Sequence, residues 1–369
     1  MQSSRKFAPV VALLVNAFAL GAGAACTDRH LPGSKGPPGA TGGGIATGGA
    51  GAGAQGVAGD GAVGGGGGTG GDTGGGGSGA CANGAAVCNP SCATMTGNEC
   101  IGGDCCASIL VPGGRFSPGL TTDRKLTVSS FRLDKYEVTV GRYRQFVAAS
   151  ADWRRAGNPV ADAGGHPNIP GSGWHTDWMW PVTTVCDLHT EYSLWGDATH
   201  DAYPMNCVSW TTAAAFCIWD GGRLPTEMEW EFAASGGEAD TRYPWGDTPV
   251  LTGKADDSAA YAVYASLGDG NGDLMSYGDM LPVGSRPAGA SPFGQMDLIG
   301  SLWEMVLDSD NRTALPNEAT DYANIDRQSF NRVAKGGSWE IAPITAASRA
   351  VVTAIGVDYA IGWRCARDH

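Results

Sequence analysis

Cysteines dominate the reactive side chains of this 369-residue chain, and their spacing separates them into two sets. The stretch "CANGAAVCNPSCATMTGNECIGGDCC" carries Cys81, Cys88, Cys92, Cys100, Cys105 and Cys106. Thiols so crowded either bind zinc or pair as disulfides. The spacing matches no common zinc finger, no histidine is near, and the stretch has almost no hydrophobic residues to fold around, so a disulfide knot is expected. Six cysteines allow fifteen pairings, and the sequence does not choose among them. The second set, Cys186, Cys207, Cys217 and Cys365, is even in number and contains no Cys-x-x-Cys, which favours structural disulfides over a redox site.

Two further groups could bind metal. His175 and Asp177 form an H-x-D pair able to ligate iron or zinc, in a loop-rich insert that also holds His166, His189 and His200. One such pair on a loop reads better as a solvated surface feature. In "GDGNGDLMSYGD", Asp269, Asn271 and Asp273 alternate as oxygen ligands do at the start of a calcium loop. Leu274 and Met280 stand where an EF-hand needs glycine and glutamate, so the motif is not that one. Calcium and a plain Gly-Asp turn cluster both remain open.

The elements that must position these residues are short and sharply punctuated. Ser209 caps a helix with Trp210, Ala214, Cys217 and Ile218 on its apolar face, ended by Gly221-Gly222. Thr226 and Glu229 form a capping box for a second helix that buries Met228, Trp230 and Ala233. "YEVTVGRYRQFVAA" reads as a strand running into a third helix, with Val140, Tyr143, Phe146 and Val147 on one face. Elsewhere Gly, Pro, Asp and Trp are scattered without long periodic runs, so the fold class is α+β with much irregular chain. Trp174, Trp178, Trp180 and Trp195 would supply an aromatic contact surface if exposed; burial in the core is the competing reading.

The amino-terminal part is built differently. Arg5-Lys6, an apolar run from Phe7 to Leu20 and the small residues before Cys26 make residues 1–25 a secretory signal, too short to span a membrane. Two processing routes fit: acylation of Cys26 as in a bacterial lipoprotein, or cleavage after Ala22-Gly23-Ala24 to release a soluble product. Residues 26–80 are a Gly/Ala-rich linker whose composition cannot offset its chain entropy. Its most Gly-rich part, from about Gly33 to Ala80, is a flexible tether of about 47 residues with a mean span of roughly 35 to 40 Å. The knot then occupies 81–110 and a globular domain 111–369, long enough for one large core. A net charge of −13 without a basic cluster excludes nucleic-acid binding and attraction to anionic lipid. The expected location is outside the cytoplasm, as an envelope lipoprotein or a secreted protein, in a monomeric state.

In chain order, "FRLDKYEVTVGRYRQFV", "PMNCVSW…FCIWDGGRLPTEMEWEFAA", "YPWGD", "SPFGQMDLIGSLWEM", "VAKGGSW" and "IGWRCARD" resemble the sulfatase-modifying factor family, whose founding activity is the formylglycine-generating enzyme. The resemblance runs from about Val111 to Arg367. It implies the FGE-sulfatase fold, C-type-lectin-like and low in regular secondary structure. It also implies a Cys217–Cys365 disulfide, which leaves Cys186 to pair with Cys207. The enzyme oxidises a substrate cysteine in a Cys-x-Pro-x-Arg segment, using Cu(I) held by two cysteines after its "RGGS". Soft thiolates select Cu(I). Aligned on "KGGSWEIAPITAASR", those positions are Ile341 and Ala346, so no copper is expected. Ser338 and Arg349 are left as groove candidates. The family's structural calcium uses the asparagine of "GNxWE"; here Ser301 replaces it beside a retained Glu304. An iron-binding H-x-x-x-H-x-E, attached by the resemblance to an ergothioneine-type branch, does not occur in the sequence.

Two function classes are implied. One is a cell-surface binding or scaffold module for a protein, peptide or glycan. The other is an oxidoreductase of the family acting through a different metal site on a protein or small molecule.

Overall fold

Three helices form where side chains satisfy their amino-terminal N–H groups. In a computed structural model of the chain, the described residues are 89–93, 95, 100–120, 123–182, 186, 192–249, 260–264, 280–310, 315–340 and 344–369. The signal, the tether, Cys26, Cys81, Cys88, His189, Asp269, Asn271, Asp273 and Ile341 lie outside them. Helix α1 (Val140–Arg155) starts at Thr139, whose Oγ1 accepts the Arg142 N–H at 3.3 Å. Helix α2 (Trp210–Trp219) starts at Ser209, whose Oγ accepts the Thr212 N–H at 3.3 Å. Helix α3 (Glu227–Ala234) carries the reciprocal box between Thr226 and Glu229. The strand expected ahead of α1 is absent: Tyr136 to Thr139 is buried irregular chain, tied by the Val138 N–H to the Trp363 carbonyl and by the Val138 carbonyl to the Met205 N–H.

Ten short strands make three small sheets among the described residues. Strands β1 (Ser108–Val111), β4 (Phe131–Asp134) and β10 (Ala366–Asp368) pair antiparallel, with β4 central. Strand β3 (Lys125–Val128) lies between antiparallel β2 (Gly114–Phe116) and parallel β6 (Glu318–Thr320). The third sheet has the order β8 (Arg349–Thr353), β7 (Asn331–Lys335), β5 (Trp303–Ser309), β9 (Ile361–Gly362), so β8 is an edge. Because β1 crosses residue 110, the expected boundary between the cysteine-rich stretch and the globular part falls inside a strand. Cys100 and Cys105 pack with Tyr136, Val283 and Met296 in one apolar cluster.

The largest apolar cluster gathers α1, α2 and the tryptophan-rich insert. Trp174 and Trp180 are buried, and Trp178 and Trp195 half-buried. Trp180 stacks on Phe146 and Trp178 meets Trp210 edge to face. Trp174 and Trp180 are core, and Trp178 and Trp195 pack against that core with part of each ring left accessible. α2 is buried all round from Trp210 to Cys217, which removes the amphipathic contrast its sequence suggests.

Buried charge ties the ends of the domain together. The Arg142 guanidinium, wholly buried, donates to Asp134 at 2.9 Å and to Asp220 at 2.6 Å, and its Nε donates to the Ser91 hydroxyl at 3.0 Å. Arg367 joins the same two carboxylates. Burial alone would raise the Asp134 pKa, but the Arg367 and Arg142 charges outweigh it and hold it below the usual range. Four disulfides are present among the described residues: Cys92–Cys106, Cys100–Cys105, Cys186–Cys207 and Cys217–Cys365. The last spans 148 residues and fastens α2 to the carboxy-terminal segment before β10.

Candidate functional site

The glycines of "KGGSW" are required by the backbone. Gly336 has φ +94°, and a Cβ there would stand 2.6 Å from the Leu298 carbonyl oxygen and 3.1 Å from the Trp230 ring. The turn after β7 therefore keeps its frame for a reason of packing. Ten residues past Gly336, the chain turns apolar instead of metal-binding. Ala346 is 1% exposed, in a cluster with Trp230, Leu298, Val306 and Val333, and its N–H donates to the Arg242 carbonyl at 2.8 Å. A methyl group in that cluster has no lone pair to offer a metal, so the residues present do not fit Cu(I). Ser338 is buried, and its Oγ accepts the Glu340 N–H at 3.4 Å. It lines no groove.

The retained Glu304 is also spoken for. Its carboxylate takes the Arg364 Nη2–H and Nε–H at 2.6 Å each and the Trp230 indole N–H at 2.9 Å. Ser301 donates to the Glu137 carboxylate at 2.8 Å. Both oxygens of Glu304 thus accept from strong donors, while Asp269, Asn271 and Asp273, read with it as a calcium set, lie outside the described residues. His175 and Asp177 form a surface turn: the Asp177 side chain is exposed, and its N–H donates to the His175 Nδ1 at 3.3 Å. Among the described residues, no three His, Cys, Asp or Glu are grouped so as to hold a metal ion, and no helix is long and apolar enough to cross a membrane.

Arg349, in contrast, borders a cavity of about 130 Å³. Its floor comes from α3, where Glu227 and Glu231, one turn apart, present carboxylates on one face. Asp308 of β5 joins them because its Oδ2 accepts the otherwise orphaned Glu227 N–H of the helix start at 2.7 Å, while Oδ1 accepts the Asn324 N–H at 2.7 Å. The sheet supplies the cations. Lys335 and Arg349 are cross-strand partners at the ends of β7 and β8. The buried Lys335 ammonium lies 2.8 Å from Glu231 and 3.5 Å from Glu227. Arg349 Nε lies 3.1 Å from Glu227 Oε1 and its Nη1 3.2 Å from Asp310 Oδ1. Met228, Leu315 and Tyr322 give the cavity an apolar side. Burial, reinforced by the neighbouring Glu227 charge, pushes the Asp308 pKa up to about 7 against the pull of its two N–H donors and Arg349.

Sequence reasoning singled out Arg349 but missed Glu227, Glu231, Asp308 and Lys335. The spacing of the two glutamates was the available signal, since both fall on one side of a helix whose cap is legible. No local pattern announces Asp308, which lies 81 residues away.

Residues 97–369 match the family described as the Sulfatase-modifying factor enzyme 1-like domain. A formylglycine-generating enzyme of Mycobacterium tuberculosis is 30% identical over 223 residues, covering 53% of this chain and 71% of that protein. The Inactive C-alpha-formylglycine-generating enzyme 2 of Bos taurus is 28% identical over 263 residues, covering 66% and 80%. A hercynine oxygenase of Mycolicibacterium smegmatis is 32% identical over 258 residues, covering 64% of this chain and 55% of that protein.

Proposed function

Since the chain belongs to the sulfatase-modifying factor enzyme 1-like domain family, matched over residues 97–369, we propose that it works as a binding module on the family's scaffold, without copper-thiolate oxidation. Its relatives carry names of both kinds, active and inactive, so identity alone does not choose between them. The observation that carries the proposal is Ala346: where the family resemblance sets a copper thiolate, this chain sets a methyl group in a closed apolar cluster. Packing there replaces ligation.

The ligand is a protein, peptide or glycan outside the cell. Support for a polymeric ligand comes from the sheet edge beside the cavity. On β8 the residues Arg349, Val351 and Thr353 face solvent, and Phe330 and Ile355 are exposed next to them, joined through the Ala354 N–H and the Phe330 carbonyl at 2.7 Å. The export signal and Cys26 support an envelope lipoprotein, with residues 26–80 as the tether.

Competition of the full chain with a Cu(I) chelator tests the proposal. We expect the chelator to keep all of the metal; retention of one equivalent by the protein would overturn the reading.

A further inference from the structure

We propose that the cavity between α3, β5 and β8 is a binding site for an organic cation bearing N–H donors, a primary ammonium or guanidinium on a short alkyl stem such as a lysine or arginine side chain presents. The inference deepens the binding-module reading and rests on it. Two carboxylates are incompletely satisfied, Glu227 in the cavity lining and Asp310 on the far side of Arg349. Glu227 is 7% exposed and Asp310 8% exposed, yet among the described residues neither carboxylate accepts a hydrogen bond of normal geometry. Both share one guanidinium, that of Arg349, whose side chain is 40% exposed, and Glu227 has in addition only the Lys335 ammonium at 3.5 Å. Buried carboxylates ordinarily collect several directed donors, and leaving them short costs free energy that a ligand can recover.

Charge and shape select the ligand class. Glu227 and Glu231 of the lining, with Asp310 beside Arg349, outnumber the two fixed cations Lys335 and Arg349 even when Asp308 is counted as neutral, which leaves the site short of positive charge. A volume of about 130 Å³ is close to the roughly 150 Å³ that admits a benzene-sized guest. An ammonium would reach the carboxylates while its methylenes lie on Met228 and Leu315. The carboxylates are not grouped as a metal-ion set. Arg349 then acts as an internal occupant that the ligand displaces from Glu227 and Asp310.

Calorimetric titration of the full chain with n-butylammonium and n-propylguanidinium, at constant ionic strength, tests this. Tetramethylammonium, which has no N–H, acetate and calcium serve as comparators. We expect saturable binding of the first two and none of the comparators. Glu227→Gln should weaken that binding by about tenfold or more, and Arg349→Ala, which removes the competing guanidinium, should tighten it by about tenfold. The proposal is overturned if neither N–H cation binds to the wild-type chain, if any comparator binds equally well, or if Arg349→Ala abolishes binding. The wild-type titration decides the question even if Glu227→Gln fails to fold. Copper retention would sink the binding-module reading and leave cation binding measurable, so the two failures are distinguishable.

Discussion

At Ala346 and at Glu229 a single side chain decides what its surroundings can do. Ala346 decides chemistry, because no arrangement of the neighbouring rings gives a methyl group metal affinity. Glu229 decides stability. Burial would raise its pKa, but bidentate Arg223 at 2.7 Å on both oxygens, with His166 beyond, holds it down to about 2 from 4.5. A depressed carboxylate contributes stability that is fully present above pH 4.5 and is lost as pH falls through 2, on the order of 3 kcal/mol. Asp308 has the opposite sign: its raised pKa makes its contribution shrink as pH climbs from 3.8 to about 7. Carboxyl-carbon NMR titration should therefore find Glu229 still ionised at pH 3 and Asp308 titrating near neutrality. Arg223→Ala should cost roughly 3–5 kcal/mol in urea unfolding at pH 7, since it strands a buried charge. A loss below 1 kcal/mol would mean that the pair is not closed in solution.

Among the elements, α3 links the core to the cavity. Its cap sets where Glu227 and Glu231 point, so Thr226→Ala should lower global stability by about 1 kcal/mol and weaken cation binding as well. An unchanged urea midpoint would contradict the role of the box. The caps of α2 and α3 are legible in the sequence because capping is local: the donor N–H and the accepting side chain lie within three residues of each other. The sheets are not. β3 pairs with β6 nearly two hundred residues further on, and strands of three or four residues carry too few side chains for an alternation to show. The same reason hides half of the cavity. Glu227 and Glu231 share a helix face whose spacing is a signal the sequence reading leaves unused, Arg349 is singled out only through the family resemblance, and Asp308 and Lys335 arrive through sheet pairing. The tryptophans of the insert could be read either way, and packing against α1 and α2 settles Trp174 and Trp180 as core, with Trp178 and Trp195 packed against it.

On the scale of the whole molecule, an acidic chain with net charge −13 carries a further local excess of carboxylate at its cavity, so its field and its site favour the same sign of ligand. The amino-terminal signal and tether read as a means of presenting that domain outside the cell. Cys26→Ser should accordingly move the protein from the membrane fraction to the soluble fraction in its native host, and an unchanged distribution would rule out the lipid anchor. Family membership supplies the scaffold, and in the proposed reading Ile341 and Ala346 are what set this chain apart from the oxidase chemistry the resemblance describes. The most direct test is mass spectrometry of a Cys-x-Pro-x-Arg peptide incubated with the full chain, Cu(I) and oxygen. A binding module leaves the cysteine unchanged relative to a protein-free control, whereas conversion to the aldehyde above that control would contradict the assignment.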